Sequence, residues 1–217
     1  MPNFSYELQA AYNKADFQTY PGFREKYTFL SVASPAFTDA GVKWALSCSS
    51  AMFFRGMIET FNDFDILFSE DDTIRGKEVL ESIGVVLNPK TPQKDNYFCS
   101  PDYQQAKFDS VELDLITNIS LKTFGGLYTY KVEDGVEMNS LDGNIPLPLI
   151  PIEAQMVLYG MMEGWQAKRL IKRDACYRYL VEMKKSQSPL RYHKILEDAL
   201  TQKIPPFLRE VINSLLK

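Results

Sequence analysis

The chain has 217 residues, 45% hydrophobic, 13% aromatic and 24% charged, a balance that supports a substantial buried core and excludes disordered, collagen-like and coiled-coil chains. Lys plus Arg at 24 against Asp plus Glu at 28 gives a net charge of -4, which argues against a grip on duplex DNA or RNA by phosphate neutralisation alone. Three cysteines without C-x-x-C spacing and the single His193 leave no zinc-binding cluster and fit a reducing compartment; with no apolar leader and no run near the ~18 residues of a membrane span, a cytoplasmic location is expected.

Two helical pieces are predicted on either side of Tyr20-Pro21-Gly22. The second, Phe23 to about Ala33, steps its apolar side chains by four and three residues and is expected to end at Ser34-Pro35, because the residue before a proline avoids helical backbone. Val42 to Leu46 reads as a short strand, and Cys48-Ser49-Ser50 as a turn opening an apolar helix that ends near Gly56. Phe61 to Phe68 alternates as a second strand, which puts Asp63 and Asp65 on one face and Phe64 and Ile66 on the other. Asp71-Asp72-Thr73 starts a helix that Gly84 stops, before the apolar Val85-Val86-Leu87. Asn88 to Pro92 reads as loop, Asn96 to Ser100 as a short strand, and Phe108 to Ile116 as a clear one, with Val111, Leu113 and Leu115 opposite Glu112 and Asp114.

Three prolines in Ile145-Pro146-Leu147-Pro148-Leu149-Ile150-Pro151 fix extended backbone and divide the chain into residues 1–148 and a helical segment, 149–217. Helices are expected there from Ile152 to about Gly164, Ala167 to Lys185, Leu190 to Gln202 and Phe207 to Leu216. The fold class is α+β.

Asp63, Asp65 and Asp114, on neighbouring strands, could converge on hard divalent cations such as Mg²⁺, which favour carboxylate oxygen. Asp-x-Asp alone is weak, since a solvated strand face gives the same pattern. The order of strand, small-residue turn, apolar helix, acidic pair and, about fifty residues later, a second acidic strand is more specific.

In that order Trp44-Ala45-Leu46-Ser47-Cys48-Ser49-Ser50, Asn62-Asp63-Phe64-Asp65 and Val111-Glu112-Leu113-Asp114-Leu115-Ile116 resemble the nucleotidyltransferase superfamily of DNA polymerase beta-like fold, in particular small bacterial members that include antibiotic and minimal nucleotidyltransferases. The likeness covers about residues 38 to 118. It implies a mixed sheet flanked by helices as the core of residues 1–148, with residues 149–217 as the helical segment that follows. It further implies a two-metal Mg²⁺ site on Asp63, Asp65 and Asp114, a nucleoside triphosphate as co-substrate, and transfer of a nucleoside monophosphate to a hydroxyl with release of pyrophosphate. Asp114 would complete the second metal site or take the acceptor proton; Glu112, on the same strand face, is the alternative third carboxylate. Ser49 and Ser50 would meet phosphates from hydroxyl and backbone. Cys48 departs from the pattern, standing where the family has its first glycine, and motivates a second reading: a catalytically impaired protein of this fold that binds nucleotide or a partner.

The basic cluster Lys168, Arg169, Lys172 and Arg173 has Lys168 and Lys172 one helical turn apart; they are candidates for phosphate or acceptor binding, beside the plainer reading of a solvated helix face. Arg55 is read as a phosphate contact or an exposed surface arginine. His193 and Trp165 read as helix and junction packing rather than as chemistry. The acidic balance favours a small-molecule acceptor over RNA or protein.

Overall fold

A computed structural model describes residues 22–90, 97–123, 125–162, 167–185 and 193–217; the expected helical piece before Tyr20, and Trp165, lie outside them. In chain order the described elements are α1 (Phe23–Asp39), β1 (Trp44–Ser47), α2 (Cys48–Phe53), β2 (Phe64–Phe68), α3 (Thr73–Ser82), β3 (Val86–Leu87), β4 (Asp102–Phe108), β5 (Val111–Thr117), β6 (Ile119–Thr123), β7 (Gly126–Tyr130), β8 (Glu137–Leu141), β9 (Ile145–Leu149), α4 (Ile152–Met161), α5 (Ala167–Lys185), α6 (His193–Thr201) and α7 (Pro206–Leu216). They fall into two compact units: Met1–Thr91 with Asp102–Thr117 and Glu137–Leu149, and Pro92–Pro101 with Asn118–Val136 and Ile150–Lys217.

The first unit carries a seven-stranded mixed sheet in the order β3-β4-β5-β2-β1-β9-β8. β2 runs parallel to β5 and antiparallel to β1, and β1 meets β9 in parallel. Alternation decides which side chains reach the core. Phe64 and Ile66 on β2 and Leu113 and Leu115 on β5 are buried, each such burial contributing about 1.5–3 kcal/mol. Helix α1 covers that face: Phe29 lies 5.4 Å from Phe64 and 5.5 Å from Phe108, ring centre to ring centre.

The same packing explains why α1 runs on past Pro35 to Asp39 instead of ending at Ala33. Pro35 is exposed and removes one hydrogen bond, but the next turn buries Phe37 completely, against Trp44 at 4.9 Å and Phe68 at 5.6 Å. Tertiary contact outweighs the local preference.

In the second unit β6 and β7 form an antiparallel ribbon, and all ten residues of α4 are buried. α4 packs on α5, α6, α7 and the ribbon. Gly160 lets α7 approach closely, since a Cβ there would stand 2.6 Å from a Leu208 methyl. Gln202 clamps the ribbon, donating to the Thr129 carbonyl at 3.2 Å and accepting from its N–H at 2.8 Å. The strand expected from Asn96 to Ser100 is reduced among the described residues to a single bridge, Phe98 to Leu121.

Candidate active site

The acidic residues are brought together by register. Ser47 on β1 pairs with Asp65 on β2, Asp65 with Asp114 on β5, and Asp114 with Gln105 on β4. Directly opposed residues of neighbouring strands share a face about 5 Å apart, so Ser47, Asp65, Asp114 and Gln105 form a polar row across four strands. That face is opposite the one α1 covers. Asp63 lies just ahead of β2 and is half-buried like Asp65. Glu112 shares the face of Asp114 one pleat away but is exposed, and it pairs with Lys107 at 3.4 Å.

Asp114 is held from β4. Tyr103 donates its hydroxyl to Asp114 Oδ1 at 2.9 Å, and Gln105 Nε2 donates to the same oxygen at 3.3 Å. Burial pushes the Asp114 carboxyl up, Tyr103 opposes that through its hydrogen bond, and the charge of Asp63 adds to the rise. Burial, then the charge and hydrogen bond of Asp114, also push the Tyr103 phenol above its ordinary value, so it stays a donor near neutrality. Clustered like charges destabilise one another unless a cation offsets them.

Cys48, the first residue of α2, has left-handed backbone, with φ at 51°. This is the region that glycine enters freely and other residues enter at a cost. Cys48 is 7% exposed. Ser49 is half-buried, whereas Ser50 is fully buried and donates its hydroxyl to the Ser47 carbonyl at 2.8 Å. The helix begins at Cys48 itself, so Cys48-Ser49-Ser50 is its first turn rather than a separate one ahead of it.

Arg55 is neither a surface arginine nor open to solvent. Its side chain is 1% exposed and its guanidinium donates to Glu137 Oε2 on β8 at 2.7 and 3.2 Å and to the Ala51 carbonyl at 3.3 Å. Lys172 belongs to the second unit, where its Nζ lies 5.6 Å from the centre of the Tyr159 ring; the side chain of Lys168 lies outside the described residues.

Two residues of this neighbourhood were not anticipated. Lys26, on α1, is buried, donates to the Phe61 carbonyl and stands 4.0 Å over the Phe61 ring. Burial pulls its pKa down while the charge of Asp63 pushes the other way. Tyr103 is the second. The signal that would have found it is Asp109-Ser110, a turn pair between two alternating runs, with Asp109 at a φ of 51° closing the β4–β5 hairpin.

The chemistry of this donor set suits a divalent cation. Among the described residues no three acidic, His or Cys side chains form a complete cation cage. Mg²⁺ usually takes one or two carboxylates, with phosphate oxygens and water filling the rest. Two carboxylates in register fit that requirement. Beside Asp65 the buried Ser47 hydroxyl has no hydrogen-bond partner among the described residues, and a bound water or phosphate oxygen on this face would satisfy it.

Neither protein-family models nor curated protein sequences match the chain. Solved structures do. A Thermotoga maritima protein with a provisional nucleotidyltransferase assignment superposes with a TM-score of 0.55 at 15% identity, covering 73% of this chain and 94% of that one. ANT(2")-Ia, solved in complex with adenylyl-2"-tobramycin, superposes with a TM-score of 0.53 at 12% identity, covering 89% of this chain and 99% of its own. The α+β core with its mixed sheet is thus a nucleotidyltransferase fold.

Proposed function

We propose that the protein is a nucleotidyltransferase that moves a nucleoside monophosphate from a triphosphate to a hydroxyl of a small molecule and releases pyrophosphate. The observation that carries this is the in-register pair Asp65 and Asp114, with Asp63 close enough for its charge to act on Asp114, beside a left-handed turn at the start of α2. The fold likeness to a protein solved with an adenylylated aminoglycoside supports a small cationic acceptor, which an acidic surface would attract.

Asp63, Asp65 and Asp114 would hold Mg²⁺, with Ser49 and the backbone of Ser49 and Ser50 taking phosphate oxygens, since the buried Ser50 hydroxyl is already bonded to the Ser47 carbonyl. The bound cation would neutralise the triphosphate and the oxygens that gain charge as the bond to pyrophosphate breaks. With Asp114 as a cation ligand, the acceptor oxygen attacks the α-phosphorus and gives up its proton to solvent, while the bond from the α-phosphorus to the bridging oxygen breaks and pyrophosphate departs. Held by Tyr103 and Gln105, Asp114 needs little reorganisation, so most of the acceleration comes from positioning and charge neutralisation. The non-catalytic reading is not favoured, since the solved structures that share this fold are a protein with a provisional nucleotidyltransferase assignment and one solved with an adenylylated product.

The test is a screen of α-labelled ATP, GTP, CTP and UTP against hydroxyl-bearing small molecules, RNAs and proteins. Labelled product with equimolar pyrophosphate is expected for a small-molecule acceptor, lost in Asp65→Asn and Asp114→Asn. Activity that survives both substitutions would refute the assignment.

A further inference from the structure

We propose that Tyr103 is a positioning residue for Asp114, turning its Oδ2 oxygen toward the divalent cation. Within the β4–β5 hairpin Tyr103 is diagonal to Asp114 and Gln105 is directly opposite, so all three side chains share a face. Both described donors, the phenol at 2.9 Å and the amide at 3.3 Å, fall on Oδ1. A carboxylate oxygen has two acceptor positions, and these are the two that Tyr103 and Gln105 fill. The terminal torsion of an aspartate is otherwise a broad, roughly two-fold rotor. Two hydrogen bonds to one oxygen fix it; both come from β4, on the side of β5 away from β2, so Oδ2 is the oxygen left for a cation shared with Asp65. Tyr103 is half-buried while Gln105 is exposed, so the shorter bond is also the better shielded from water, and the phenol contributes more than the amide.

This inference rests on the reading of Asp114 as a cation ligand. Partners that orient a ligand typically change metal affinity by about 10- to 100-fold when removed. The experiment is a Mn²⁺ titration followed by electron paramagnetic resonance, with α,β-methylene-ATP present, on the full chain and on Tyr103→Phe, Asp114→Asn and the double variant. Tyr103→Phe keeps the ring and is expected to weaken Mn²⁺ binding about tenfold. The double variant should bind no more weakly than Asp114→Asn alone, because Tyr103 acts through Asp114. A merely structural role would give additive losses, and additivity overturns the proposal, as does Tyr103→Phe within twofold of the parent while Asp114→Asn loses affinity. If Asp114→Asn binds as the parent does, or the parent binds no Mn²⁺, the underlying reading falls and this inference with it. Should Tyr103→Phe fail to fold, Gln105→Met at its exposed position removes the other donor to Oδ1. A two- to threefold loss is expected there, and no loss overturns the proposal.

Discussion

Replacing Cys48 by glycine tests whether the first turn of α2 is built for the residue it carries or only tolerates it. The backbone there has a φ of 51°, which costs a side chain about 1–2 kcal/mol. Glycine removes that cost. Against it stand the loss of a side chain that is 7% exposed, about 1 kcal/mol, and the greater freedom of glycine in the unfolded chain, about 0.4–1 kcal/mol. The sum is close to zero. Cys48→Ala keeps the strained backbone and loses the sulfur, so it should be about 1 kcal/mol less stable than the parent. Thermal unfolding resolves this, since about 1 kcal/mol shifts Tm by roughly 2–4 °C in a chain of this size. Cys48→Gly should melt near the parent and no lower than Cys48→Ala, and it should bind Mg²⁺-ATP as tightly or more tightly, because glycine lets the backbone approach a phosphate. A glycine variant that melts well below the alanine variant, or that loses nucleotide affinity, would refute the strain argument.

Glu137→Gln takes the carboxylate from a guanidinium that is 1% exposed; urea unfolding should show a loss of about 2 kcal/mol, and no change would mean that the pair contributes nothing. Gly160→Ala should destabilise the second unit by about 1–3 kcal/mol, because its Cβ would meet Leu208 at 2.6 Å. Combining it with Leu208→Ala should cost less than the sum of the two, measured by the same unfolding curves. Burial would raise the Asp72 carboxyl, but the Lys43 N–H at 3.0 Å, Ser69 at 2.8 Å and Arg75 outweigh it and hold the pKa below its ordinary value. The charged form is thus favoured by folding, and its stabilisation is full above the unfolded value near pH 4 and is lost as pH falls through the lowered one. Asp72→Asn should therefore flatten the acid side of the stability profile, and an unchanged profile would contradict the assignment.

The strand, helix and strand that carry Asp65 were legible in the sequence because apolar buried residues alternate with polar half-buried or exposed ones in Phe64-Asp65-Ile66 and in Val111 to Leu115. Asp63 was read into β2 and lies just before it. β4 was missed because Asp102 to Phe108 offers little apolar content: only Gln104 and Ala106 are buried, and its place in the sheet comes from pairing along the whole of β5. β9 was read only as extended backbone at a subdomain boundary, since Pro146 and Pro148 gave no sign of sheet pairing; five residues of β8 pair with it, while β1 meets it at Leu149 alone. Lys26 shows a different limit. Its partner Phe61 is 35 residues away, and no local pattern announces a contact between a helix and the loop before a strand. The buried Arg55 was misread for the same reason, since Glu137 is 82 residues distant.

Asp63, Asp65 and Asp114 are expected to form one cation-dependent site for a nucleoside triphosphate. Calorimetric titration with ATP, GTP, CTP and UTP, with and without Mg²⁺, measures it directly. At least one triphosphate should bind, require Mg²⁺ to do so, and lose binding in Asp63→Ala and in Asp65→Ala. Binding that is indifferent to Mg²⁺ or to those substitutions, or no binding of any of the four, would contradict it.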